Sequence, residues 1–134
     1  MAHVREAVTS GIETVRKRYT LGEEIANSVS HGVGALLAIA ALVLLIVTAV
    51  SHGGGVRLAA ALIMGISLII EYLFSTLYHA IAPERAKAVF RVLDHCGIYL
   101  LIAGSYAPFS LITLADRGGV ALCCAVWGVA VAGI

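Results

Sequence analysis

Charge is what this sequence has least of. Of its 134 residues only 13% are Asp, Glu, Lys or Arg, where an average soluble domain carries about 25%. Nine basic and eight acidic side chains are too few to solvate the surface of a globule this long, and 60% of the residues are hydrophobic. That excludes an ordinary soluble enzyme, and a mean hydropathy of +0.98 excludes a disordered chain. A net charge of +1 leaves no footprint for a phosphate backbone, so no nucleic-acid partner is expected. Cysteine is also scarce. Cys96, Cys123 and Cys124 are an odd number with no Cys-x-x-Cys pair, so they read as small buried hydrophobes and not as a disulfide or zinc set. No period-two alternation of polar and apolar residues is visible, which excludes a membrane β-barrel. The N-terminus is polar and lacks the profile of a cleavable signal peptide. What remains is an integral, multi-pass protein of the inner or plasma membrane, with membrane lipid as its partner.

The few charges leave four long gaps: Ile25 to Val56, Leu58 to Ile70, Cys96 to Ala115 and Gly118 to Ile134. A bilayer-spanning helix takes about 20 apolar residues, and lipid offers no partner for open backbone groups. The gaps therefore predict an all-α membrane protein with transmembrane helices over about 28–50, 58–81, 94–114 and 118–134. Arg5, Arg16, Lys17 and Arg18 precede the first span, and Arg85, Lys87 and Arg91 fall between the second and third. Only Arg57 and Arg117 fall on the opposite side. This asymmetry predicts a cytoplasmic N-terminus and a cytoplasmic second loop.

Residues 1–20 read as a separate segment. Val4, Val8, Ile12, Val15 and Tyr19 recur every three or four residues, the pattern of an amphipathic helix lying on the membrane surface. Residues 21–134 form the transmembrane part. Ser51-His52-Gly53-Gly54-Gly55 is a turn, Pro83 stops the second helix, and Gly118-Gly119 turns the chain into the fourth. Gly32, Gly34, Ala35, Ala38, Ala103 and Gly104 permit close helix contacts.

Ionisable groups at membrane depth cost at least ~2.5–3.5 kcal/mol near the centre for Asp, Lys or Arg, so each needs a reason to be there. Glu24, Asn27 and His31 share one face of the first helix, and Glu71, Ser75 and His79 share one face of the second. Asp94 and His95 open the third span. With the second loop centred between Ala86 and Lys87, His79 and Asp94 come to the same level, so three helices aim polar groups at one layer. His79 is the best candidate metal ligand there. Ser75 is placed to hydrogen-bond the site, and Asp94 to ligate or to orient the metal's water. The bland alternatives are a headgroup-level anchor for His79, an interhelical hydrogen-bond partner for His31, structural glue for Glu71 and a helix cap for Asp94.

These residues resemble a known family. Glu24-Ile-Ala-Asn27-Ser-Val-Ser-His31 is similar to the E-x-x-N-x-x-x-H opening of the hemolysin III family, within the progestin and adipoQ receptor (PAQR) superfamily. Ser75-Thr-Leu-Tyr-His79 is similar to its S-x-x-x-H motif and Asp94-His-Cys-Gly-Ile-Tyr99 to its D-x-x-G-I motif, while Ala103-Gly-Ser-Tyr-Ala-Pro108-Phe fits its third helix. The resemblance runs from about Tyr19 to Ile134. It implies a seven-helix PAQR-like bundle and a Zn2+ site on the cytoplasmic side, with His79 as a direct ligand and Ser75 and Asp94 around the metal. The family's other two ligands come from an H-x-x-x-H motif in its last helix, which this sequence lacks. Four of seven helices are therefore expected here, with the rest supplied by missing C-terminal helices or by self-association.

Three functions compete. One is a zinc-dependent membrane hydrolase of a lipid amide or ester, in which Asp94 and Ser75 serve catalysis and His79 holds the metal. The second is a membrane-lytic or pore-forming protein of the kind the family name suggests. The third is a non-catalytic sensor or regulator of membrane state.

Overall fold

The first helix begins where Thr20 caps it. In the computed structural model, which describes residues 19–134, the Thr20 hydroxyl accepts the Glu23 backbone N–H at 3.3 Å. The Glu23 carboxylate in turn accepts the Thr20 N–H at 2.6 Å. This reciprocal capping box satisfies two backbone donors that a helix start otherwise leaves open. Helix α1 then runs over Leu21–His52. Its 32 residues make about 48 Å at 1.5 Å per residue, against a hydrocarbon core of ~30 Å. The excess lies before the apolar run and carries Glu24 and Asn27. The amphipathic segment expected over residues 1–20 lies outside the described residues apart from Tyr19 and Thr20.

Gly53 and Gly54 turn the chain into α2, Gly55–Ala80. Across this turn Arg57 donates to the His52 carbonyl at 3.2 Å, closing the open end of α1 with a cation where the helix dipole is negative. Helix α3, Glu84–Pro108, follows after a three-residue link, Ile81 to Pro83. Pro108 has no N–H to give the carbonyl four residues back, and the chain widens there into a π-helical turn, Phe109–Thr113. Gly118 takes the left-handed conformation (φ 82°) that a side chain disfavours. Gly119 then begins α4, Gly119–Gly133, with no room for a Cβ beside the Ser110 and Leu114 carbonyls.

The described residues contain helices and no strand, as expected. Three helical segments, Leu21–His52, Gly55–Ala80 and Glu84–Thr113, are long and apolar enough to cross a membrane. The fourth apolar run forms the shorter α4 of 15 residues, about 22 Å long. The third helix differs most from expectation. It starts at Glu84 and not near residue 94, so Arg85, Lys87 and Arg91 stand on its opening turns and not in a loop. A charge-free run marks where lipid begins. The helix continues past that level because Glu, Arg, Ala and Lys are good helix formers.

Helix α2 lies between α1 and α3, and α4 packs on α3 and the π-helical turn. The seams are built from small side chains. Ala35, Ala38, Ala60, Ala61, Ala103 and Ala107 are buried, whereas Leu36, Leu37, Leu44 and Val50 point outward. In water this would be an inverted protein; in lipid it is the expected one, since close backbone approach replaces apolar burial as the source of helix association. At Gly104 the approach to α2 is close enough that an added Cβ would collide with Ser67 Oγ and Cβ. Gly104→Val is therefore expected to destabilise the α2–α3 pair by about 1–3 kcal/mol. Gly22→Ala, whose Cβ meets nothing within 4 Å, should leave stability within about 0.5 kcal/mol of the parent. Denaturant unfolding in detergent micelles, followed by circular dichroism, checks both.

Candidate functional site

Because α1 and α2 form an antiparallel hairpin about Gly53-Gly54, residues equally far from that turn face each other. Gly34 lies against Tyr72 and Gly32 against Thr76. The same register brings the polar face of α1 onto the polar face of α2. His31 Nδ1 and Ser75 Oγ share a hydrogen bond of 2.5 Å. One turn toward the helix ends, His79 Nδ1 donates to Glu24 Oε2 at 2.8 Å. The second Glu24 oxygen, Oε1, accepts from Lys87 Nζ at 2.6 Å.

His79 is the centre of this cluster. Only 6% of its side chain is exposed, against 17% for Glu24 and 28% for Lys87. Its ring sits 4.7 Å from the Tyr78 ring, 5.2 Å from Tyr19 and 6.3 Å from His31, measured between centroids. His31 also stands edge-on to Tyr72 at 5.7 Å. Lys87 Nζ lies 5.4 Å over the Tyr78 ring, so the cation is held by a carboxylate and an aromatic face together. A headgroup-level anchor would be solvated and loosely placed. His79 is instead enclosed and paired.

Asp94 lies deeper. It is the eleventh residue of α3 and so no helix cap. Gly97 of α3 faces Glu71 of α2 so closely that a Cβ there would meet Glu71 Oε2. Moving three residues back from Gly97 and three forward from Glu71 puts Asp94 opposite Phe74, beside Ser75. This is five residues along α2, or about 7.5 Å, deeper than the expected level with His79. The difference follows from the short link at Ile81 to Pro83, which moves the centre of the α2–α3 hairpin. Asp94 is 9% exposed, and His95 Nδ1 stands 3.7 Å from its Oδ2. His95 itself is largely exposed and donates to the Arg91 carbonyl at 2.7 Å. Glu71 Oε2 is buried without a hydrogen-bond partner among the described residues. Asn27 sits half-buried one turn above Glu24, its backbone carbonyl accepting from Ser30 Oγ at 3.1 Å.

Of the residues singled out in the sequence, the structure thus joins Glu24 to His79 and His31 to Ser75. It places Asp94 and Glu71 together one level deeper, within electrostatic reach of each other. Lys87 is the participant that sequence reasoning missed. Its signal was available: it is one of the basic residues on the opening turns of α3, close in sequence to the end of α2, where His79 sits. Among the described residues no three His, Cys, Asp or Glu side chains are gathered so as to hold a metal ion.

An all-α membrane protein with its ionisable groups collected at one end of a helical hairpin is the class these features define. The chain belongs to the haemolysin III family. A family model described as "Haemolysin-III related" matches residues 19–134. The chain is 47% identical over 112 residues to the Hemolysin-3 of Bacillus cereus, a match covering 84% of this chain and 51% of that protein. It is 43% identical over 116 residues to the Hemolysin-3 homolog of Bacillus subtilis (strain 168), covering 87% of this chain and 54% of that one. The chain thus spans about half the length of these relatives. No solved structure matches it.

The His31–Ser75 bond makes a direct prediction. In a double-mutant cycle with His31→Phe and Ser75→Ala, the coupling is expected at about 0.6–1.7 kcal/mol, the range for interhelical hydrogen bonds in membranes. Unfolding free energies of the four proteins in detergent measure it, and additive single effects would show that the bond contributes nothing.

Proposed function

We propose that the chain supplies one ligand and the polar surroundings of a Zn2+ site for hydrolysis of a lipid amide or ester, at the membrane's cytoplasmic face. The observation that carries this reading is the enclosure of His79. A buried imidazole, ringed by Tyr19, Tyr78 and His31 and tied to a carboxylate, is the usual setting of a metal-binding histidine. The described residues fit one corner of such a site and not the whole, since a catalytic zinc takes three protein ligands. The remaining ligands would come from outside these residues, either from further helices or from another copy of the chain. The orientation rests on the excess of Lys and Arg at the Thr20–Pro83 end of the bundle.

Zinc bound at His79 would supply Lewis-acid polarisation of a carbonyl and activation of water. The chain's own residues have separate tasks around it. Asp94, buried beside the level of Ser75, would accept a proton from the attacking water. Ser75, its hydroxyl already shared with His31, orients groups in the same layer. The apolar outer faces of α1 and α2 keep the acyl part of a lipid substrate within the bilayer while its headgroup linkage reaches the polar end. The lytic and sensor readings have no comparable observation in their favour. Polar groups gather at one end of the described helices and do not line a path through them.

Expressed from its native gene and purified in detergent, the protein is expected to retain zinc, and His79→Ala to lose it, by elemental analysis. With zinc retained, Asp94→Asn should lower hydrolysis of a fluorescent ceramide or ester by about 10²–10⁴-fold, the usual contribution of a general base. Unchanged zinc content in His79→Ala would overturn the ligand assignment.

A further inference from the structure

Glu24 does more than place a charge near the site. We propose that Glu24 is a positioning residue that fixes the tautomer and the orientation of the His79 ring, with Lys87 as its counter-charge. The inference deepens the functional reading above, because it matters to the chemistry only if His79 is a ligand. Its structural content stands independently of that reading.

The two imidazoles of the cluster are held by different kinds of partner. His31 Nδ1 faces a hydroxyl, which can either donate or accept, so the contact is compatible with both neutral tautomers. His79 Nδ1 faces a carboxylate oxygen at 2.8 Å, and an ionised carboxylate can only accept. The proton must therefore sit on Nδ1, which leaves the lone pair of neutral His79 on Nε2. The side chain is enclosed on three sides by rings, so the imidazole cannot turn to exchange its nitrogens without losing this bond.

The carboxylate is fixed in its turn. Both of its oxygens are used, Oε2 by His79 and Oε1 by Lys87. Helices α1 and α3 do not pack against each other, so Lys87 reaches across from the first turns of α3 to a residue in the first turn of α1. One carboxylate thereby ties the ends of three helices, and the ring it orients lies among them. A ligand histidine whose second nitrogen donates to a carboxylate is both aimed and made more basic, which is what metal capture needs.

The tautomer is directly measurable. Ring 15N NMR of the histidine-labelled chain in lipid nanodiscs, with the imidazole neutral, should show His79 mainly as the Nδ1–H form, by about tenfold or more given the strength of a charge-assisted bond. In Glu24→Gln, whose amide can either donate or accept, that preference should fall to a mixture. In Lys87→Met, which leaves the carboxylate in place, it should persist. A mixed tautomer in the unaltered chain overturns the proposal, and so does an equal loss in Lys87→Met. Zinc affinity, read by competition with a chelating dye on the protein expressed from its native gene, should fall about 10–100-fold in Glu24→Gln. Affinity lost in His79→Ala but unchanged in Glu24→Gln would overturn the positioning role and leave the ligand reading standing. A fixed tautomer with zinc binding indifferent to His79→Ala would do the reverse.

Discussion

Lipid removes the force that ordinarily assembles a protein. Moving a leucine from the bilayer into a helix seam gains almost nothing, because both surroundings are apolar, so helices here must be held by close contact and by polar pairs. Each feature of the chain follows from that constraint. Alanine, glycine and serine fill the seams while leucine and valine face outward. The backbones approach until Gly34 lies against the ring of Tyr72 and Gly104 against Ser67. Two hydroxyls in the seams find local partners: Ser67 Oγ donates to the Ile63 carbonyl and Thr76 Oγ1 to the Tyr72 carbonyl. These bonds satisfy the hydroxyls within their own helix, leaving the interhelical polar contacts to the His31–Ser75 and Glu24–His79 level.

The placement of charge at that level is consistent with helix electrostatics. Glu24 lies in the first turn of α1 and His79 in the last turn of α2, each where the helix dipole favours it. Lys87 is the exception, a cation near the start of α3, and its contact with the Glu24 carboxylate and the Tyr78 ring offsets that disadvantage. The long α1 makes the arrangement affordable in lipid, because its excess length lets Glu24 stand below the hydrocarbon boundary. Glu71 has no such relief. Its carboxyl lies a little over two turns deeper than His79, in space made by Gly97, and the neighbouring charge is Asp94.

Much of this was legible in the sequence, and the part that was not has a definite cause. Helix number, the hairpin turns and the polar faces of α1 and α2 follow from charge-free runs and three- or four-residue spacing, and the structure keeps them. Helix ends do not follow from hydropathy. Thr20 and Glu23 carry the T-x-x-E signature of a capping box, which marks the start of α1 well before residue 28. The opening turns of α3 are charged and so resemble a loop when only apolar runs are counted. That single misplacement moved the centre of the α2–α3 hairpin and with it the depth of Asp94. The pairing of Glu24 with His79 lies about one turn off strict register, Glu24 standing 29 residues before Gly53 and His79 25 after Gly54, and the two side chains span the difference. It calls for the register of the first hairpin, whereas the shared layer of His79 and Asp94 follows from the second.

The two halves of the polar cluster differ in what they ask of the rest of the family's length. At the Glu24–His79 level the carboxylate is matched within the described residues, one oxygen bonded to the His79 imidazole and the other to the Lys87 ammonium, so that three helices are joined. This level needs no further element to hold its shape, so the geometry around His79 is set before any additional helix or ligand arrives, the condition under which a site loses least on binding. One level deeper the matching stops. Glu71 Oε2 is buried without a hydrogen-bond partner among the described residues, with Asp94 beside it. An unmatched carboxyl in lipid is costly enough that it is retained only where something uses it. The chain therefore presents a fixed Glu24–His79–Lys87 frame and, deeper in the same helices, a carboxyl oxygen with no hydrogen-bond partner among the described residues.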